Sequence, residues 1–194
     1  LLGYTLRHSE AFTSFARLLS ERRIGKPLGA RIVSRSYLPD WRPEQDYRSS
    51  VSASPDLGGG VLLELSHEID IASHFFGPFE SVRARVENSG SLGISVEDFA
   101  ELHLVSTDGI PVSAELNFAS SDAARFVEVI GQFGLIQWDL LANSIEISLS
   151  SEPPSRTCFE DVRDDFFARQ FMHFLDTFEE DAVKPQVTIQ DGIA

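Results

Sequence analysis

Apolar positions fall at helical spacing in three stretches of the chain. From Ser9 to Arg23, Phe12, Phe15, Leu18 and Leu19 share one face, Ser9 supplies a cap and Gly25 a stop, which predicts a helix. From Leu62 to Phe76 the pattern predicts a second helix, ended by Gly77 and Pro78. From Val162 to Glu180, Phe167, Phe171, Phe174, Leu175 and Phe178 form an amphipathic stripe and predict a third.

Between these lie segments of strand character. "LGARIVSRSY" places Arg31, Val33, Arg35 and Tyr37 on one face. After Pro78 come "SVRARVE", "VEDFAELHLV", "IPVSAELNF", "RFVEVIG", "GLIQWDL" and "SIEISLS", with "STDG" as a turn signal between two of them. Ala114, Leu116 and Phe118 alternate with Ser113, Glu115 and Asn117. Sequential strands with short turns predict an α+β fold: an open, mostly antiparallel sheet of about six strands with helices packed on one face. A face left open predicts a homo-oligomer through the sheet, with Leu102, Leu104, Ala114, Leu116 and Phe118 as apolar area beyond the needs of one core.

The 194 residues suit one domain, 1–194. A net charge of −14 argues against nucleic acid and anionic membrane surfaces as partners. Cys158 is the single cysteine, so an internal disulfide and a multi-cysteine metal site are both excluded. That points to a reducing, cytoplasmic setting, and no apolar run approaches the ~20 residues needed to span a bilayer. The opening "LLGYTLRH" has no initiating Met and is strand-like, and "TIQDGIA" stops in mid-pattern, which predicts a piece of a longer protein.

The chemistry concentrates in "GGGVLLELSHEID", Gly58 to Asp70. Glu64, His67, Asp70 and His74 follow each other at three, three and four residues, on one face of a continuous helix. A histidine flanked by carboxylates one turn away has a proton partner and suits general acid/base work. A solvated helix face with i, i+3 pairs explains the same spacing. Metal binding does not fit, because His67 and His74 stand ~10 Å apart along the axis. The glycines match neither a Walker loop nor a dinucleotide fingerprint.

The segment Leu38 to Gly60 is rich in Pro, Ser, Asp and Gly, yet carries Trp41, Arg42, Tyr47 and Arg48. With Tyr37 before it and Arg7 near the start, it offers stacking faces and guanidinium forks for a small, hydroxyl-rich ligand. Alternatively, Trp41 and Tyr47 pin the loop to the core. Cys158, His103 and His173 read as incidental, packing or surface residues.

"GYTLRH", "RRIGKPLGARI", "GGGVLLELSHEID" followed by "FFG", and "QFGLIQWDL" occur in one order along nearly the whole chain. Together they resemble the C-terminal domain of the glucose–fructose oxidoreductase/inositol dehydrogenase (Gfo/Idh/MocA) family. The resemblance implies NAD or NADP, bound mainly by an N-terminal Rossmann domain absent from this chain. It implies hydride transfer between nicotinamide and a sugar- or inositol-like polyol, with His67 as the acid/base group and Asp70 as the motif's trailing aspartate. Gly59 and Gly60 would bring the backbone close to the cofactor.

Against the family's Asp-x-Gly-x-His-x-x-Asp pattern, Leu63 and Leu65 stand at the leading Asp and Gly, and Glu64 is the nearest acid. The family's Glu-Lys-Pro is not among the residues here: neither Lys26-Pro27 nor Lys184-Pro185 matches it. The chain on its own is therefore expected to be inactive. The alternative is a non-catalytic sugar-binding or dimerisation module.

Overall fold

A computed structural model describes residues 3–179 and 184–192. The elements run α1 (Glu10–Ser20), β1 (Pro27–Tyr37), a stretch of four short 3₁₀ turns, α2 (Val61–Glu64) and α3 (Ser66–Phe76). Strands β2 (Phe79–Glu87), β3 (Phe99–Ser106), β4 (Pro111–Asn117) and β5 (Ala119–Gly131) follow. Then come β6 (Gly134–Asp139), β7 (Ser144–Leu149), β8 (Glu152–Cys158) and α4 (Arg163–Glu179). Glu180, the expected end of the last helix, lies outside the described residues, as do Leu1 and Leu2 of the strand-like opening. The rest of that opening is not a strand: Thr5–His8 form a 3₁₀ turn.

The sheet is open and has eight strands in the order β2-β3-β4-β1-β5-β6-β7-β8. Strand β1 sits in the interior, parallel to β4 and antiparallel to β5, with Val33 opposite Glu115 on one side and Phe126 on the other. The remaining described pairings are antiparallel.

Ser9 caps α1 as its position requires: its hydroxyl accepts the Phe12 N–H at 3.0 Å and donates to the Leu6 carbonyl at 2.9 Å. The helix lays Phe12 and Phe15 into the main core, against Trp138 of β6 and Phe75 of α3. The same core takes Ile32, Leu104, Ala114, Val127, Ile136 and Ile145 from one side of the sheet. A second, smaller core gathers Leu38, Val61, Leu65, Leu116 and Phe118 under the long loop.

The five residues expected to form a surplus apolar patch are therefore misplaced by the sequence reading. Leu102, Leu104, Ala114, Leu116 and Phe118 are all buried on the helix-covered side. The open side carries ion pairs instead, with Arg31 and Arg35 both reaching Glu115 and Arg31 lying over the Phe126 ring. Helix α4 keeps its apolar stripe outward, with Phe167, Phe171, Phe174 and Phe178 all exposed. No helix among the described residues is long and apolar enough to cross a membrane.

Candidate functional site

The predicted helix from Leu62 to Phe76 breaks at Leu65, whose backbone (φ −105°, ψ 30°) leaves the helical region. Packing supplies the reason. Val61 and Leu65 turn into the second core, while Ile71, Ala72 and Phe76 face the main one. One straight helix cannot present residues to both.

The break removes Glu64 from the face it was expected to share with His67. Its carboxylate instead accepts the Ser52 hydroxyl at 2.9 Å. The glycines serve this same corner. A side chain at Gly59 would run into the carbonyls of Val51 and Ser52, and one at Gly60 (φ 115°) into the Glu97 carboxylate. Their N–H groups already donate to Ser54 and Ser52 carbonyls, and Glu97 receives the Val61 and Leu62 N–H groups. Gly59 and Gly60 thus bring the backbone close to this chain's own loop and a carboxylate.

Asp70 is likewise engaged elsewhere. Its two oxygens take Arg7 Nε at 3.0 Å and Nη2 at 2.5 Å, with both side chains almost fully buried. Arg7 also donates to the Gln186 carbonyl and to Asp191 at 3.2–3.3 Å. The pair therefore fastens the first turn of the chain and the 186–191 segment onto α3. Arg7, grouped with ligand-binding residues by sequence, is a buried tie. His74 packs between the Phe12 and Phe75 rings, each 4.9 Å away.

His67 stands apart from both neighbouring acids. Among the described residues it makes no hydrogen bond, and its Nδ1 is buried without a partner. The ring meets Tyr4 edge-on, 5.5 Å between centroids. Burial holds its pKa down to about 4, and the guanidinium groups of Arg125 and Arg163 push the same way. The imidazole is therefore neutral at physiological pH, with an unengaged nitrogen.

Next to it, Glu68 points into the protein and is 1% exposed. One oxygen takes Arg125 Nε at 2.7 Å, and the other is buried without a partner. Burial pushes this carboxyl up, against the pull of Arg125 and the Ser34 hydroxyl. Sequence reading passed over Glu68, Arg125, Arg163 and Tyr4. For Glu68 a signal existed: positions 68, 71, 72 and 76 form the core stripe of α3, and an acid on such a stripe requires a buried partner. Nothing in the linear pattern marks Arg125, 57 residues away, as that partner.

The loop aromatics lie at a separate corner. Trp41 donates to the Ser36 hydroxyl at 3.1 Å and stands edge-on to Phe118, and the Tyr47 hydroxyl donates to the Leu92 carbonyl at 2.9 Å. Arg48 pairs with Asp46, and Arg42 and Tyr37 are exposed. The space among Trp41, Arg42 and Tyr47 is about 10 Å³, about the least that admits a single water. In this geometry Trp41 and Tyr47 anchor the loop, and neither touches His67. Among the described residues no group of three His, Cys, Asp or Glu side chains is placed to hold a metal ion.

These features define a class: an open-sheet α+β domain with an unpartnered imidazole on a helix laid against the sheet. The chain belongs to the GFO/IDH/MocA C-terminal domain family, whose description matches residues 12–137. The 1,5-anhydro-D-fructose reductase of Ensifer adhaerens is 27% identical over 96 residues, which make up 47% of this chain and 26% of the reductase. Aldose-aldose oxidoreductase from Caulobacter crescentus, solved with glycerol, superposes with a TM-score of 0.80 at 18% identity, covering 98% of this chain and 56% of its own. An inositol dehydrogenase homolog from Azotobacter vinelandii, solved with NAD⁺, gives 0.79 at 11% identity, covering 94% and 57%. At these identities the solved structures share the fold. The chain spans about a quarter of the reductase's length and little more than half of each solved chain.

Proposed function

We propose that this chain is the substrate domain of an NAD(P)-dependent oxidoreductase that transfers a hydride between nicotinamide and a sugar- or inositol-like polyol. The carrying observation is the His67 imidazole, neutral at physiological pH and hydrogen-bonded to none of the described residues. Such a group accepts the proton of a hydroxyl being oxidised and returns it in the reverse direction. Glu64 and Asp70, held by Ser52 and Arg7, stand outside that proton path.

The cofactor's pyrophosphate has no cradle in the described residues. The glycine-rich corner has its amides engaged, and the Glu97 carboxylate sits against it, a poor neighbour for phosphate. The reading therefore places cofactor binding in polypeptide outside this chain, and gives this chain the proton-handling group and a wall of the substrate site.

The test is His67→Asn in the full-length protein. General acid/base groups contribute ~10²–10⁴-fold, and turnover should fall by about that factor with stability at pH 7 little changed. Wild-type turnover in that variant would leave His67 a packing residue of α3 and remove the proton-handling role.

A further inference from the structure

A general base works only if its ring is held, because a ring that swings loses the alignment with the proton it takes. The outer torsion of histidine is broad and two-fold, so packing or a hydrogen bond must fix it. A carboxylate or a backbone carbonyl is the usual orienter. Neither serves here: Glu64 holds Ser52, Asp70 holds Arg7, and His67 makes no hydrogen bond among the described residues. What touches the ring is Tyr4, 5.5 Å between centroids with the planes 73° apart, inside the range of a T-shaped pair.

Tyr4 is itself held in register with α3. It stands just before the 3₁₀ turn Thr5–His8, and its carbonyl accepts the Arg7 N–H at 3.2 Å. The Arg7 guanidinium reaches Asp70, three residues beyond His67 on the same helix. The Arg7 carbonyl accepts Gln186 Nε2 at 3.0 Å, and the His8 carbonyl accepts Arg169 Nη1 at 2.8 Å. The turn is thus fastened through its backbone and through Arg7, and the fastening lands one helical turn from the imidazole. The Tyr4 side chain is half-buried, and its hydroxyl makes no hydrogen bond among the described residues. Its contact with His67 therefore belongs to the ring and not to the phenol oxygen.

We propose that Tyr4 is the positioning residue of His67: its ring, set by the Arg7–Asp70 tie, holds the imidazole in one orientation where a carboxylate would ordinarily do so. The proposal rests on the oxidoreductase reading above and adds the group that orients its base. A carboxylate orienter also raises the basicity of the imidazole, whereas an aromatic ring fixes the plane without adding a charge.

The experiment compares Tyr4→Leu and Tyr4→Phe in the full-length protein, each with and without His67→Asn. Turnover is followed with NAD⁺ and NADP⁺ on myo-inositol and D-glucose, and with NADH and NADPH on 1,5-anhydro-D-fructose. Tyr4→Leu should lower kcat by roughly 3–10-fold, the scale of one aromatic pair, with KM little changed. Tyr4→Phe keeps the ring and should restore most of kcat. In the His67→Asn background Tyr4→Leu should cost nothing further, since no imidazole is left to hold; a merely structural role would cost the same in both backgrounds. In protein isotope-labelled at histidine Cε1, the His67 signal is identified by its loss in His67→Asn. It should move in Tyr4→Leu, as the neighbouring ring current goes, and stay in place in Tyr4→Phe. Should Tyr4→Leu fail to fold, Tyr4→Met carries the same comparisons. A His67 signal unmoved by Tyr4→Leu, or a loss of kcat equal in both backgrounds, would overturn the positioning role and leave the oxidoreductase standing. A loss in Tyr4→Phe as large as in Tyr4→Leu would overturn it too, because the ring is still there. No turnover of any of these substrates by the wild type would overturn the oxidoreductase reading, and the His67 signal would then decide alone whether Tyr4 holds the ring.

Discussion

Replacing Asp70 by Asn separates a structural role from a catalytic one. The Arg7–Asp70 pair makes two contacts, at 3.0 and 2.5 Å, with side chains 3% and 2% exposed. Asn keeps the shape and one acceptor, loses the charge, and turns an amide toward the guanidinium. Breaking one side of a buried pair costs about 3–5 kcal/mol, because the remaining charge is left without its counterpart. Asp191 still reaches Arg7 at 3.3 Å and is partly solvated, so the lower end, about 3 kcal/mol, is expected. In a chain of this size that lowers Tm by roughly 6–12 °C, readable in a thermal or urea transition. The double variant Arg7→Met, Asp70→Leu removes both charges and should recover most of the loss. Asp70→Asn within 0.5 kcal/mol of wild type, as for an ordinary surface change, would refute the buried-tie account and reopen a chemical role for this carboxylate.

The depressed pKa of His67 gives a pH signature. In the unfolded chain this imidazole titrates near 6.5 and in the folded chain near 4, so between these values the unfolded state binds more protons. Stability from this group is complete above pH 6.5 and is lost as pH falls toward 4. The loss is about 2 kcal/mol by pH 5 and about 3 kcal/mol in full, and His67→Gln should remove that slope in urea titrations. The chain on its own, lacking a pyrophosphate cradle among its described residues, should show no saturable heat of NADH or NADPH binding at millimolar cofactor. A saturating isotherm would contradict the placement of the cofactor outside it.

Most of the fold was legible because it is amphipathic. The stripe of Phe12, Phe15 and Leu18 and the alternation of Ala114, Leu116 and Phe118 each state which face is buried, and each lies in a core. Strand β8 was missed because "EPPSRTC" has no alternation and two prolines. It survives as an edge strand, where a missing N–H can face away from the sheet. The break at Leu65 was invisible because helical periodicity assumes one core, and this segment serves two. His67 stood out by its motif. The ring it meets, Tyr4, comes from a distant segment that no spacing rule connects, as do the Arg125 and Arg163 charges that act on it. The nearby acids that spacing did offer, Glu64 and Asp70, belong to other partners.

The interior position of β1 sets a timetable for synthesis. Ile32 and Val33 leave the ribosome well before their partners on β4 and β5, which begin only at Pro111 and Ala119. At ~5–20 residues per second the wait is roughly 4–15 s. Throughout it, an apolar strand with both edges unpaired has nothing to join, the state in which strands find wrong neighbours. Nascent chains halted before Pro111 should leave β1 open to protease, and chains released past Gly131 should protect it. The middle of the finished sheet is thus the part of the molecule that depends longest on whatever shields a growing chain.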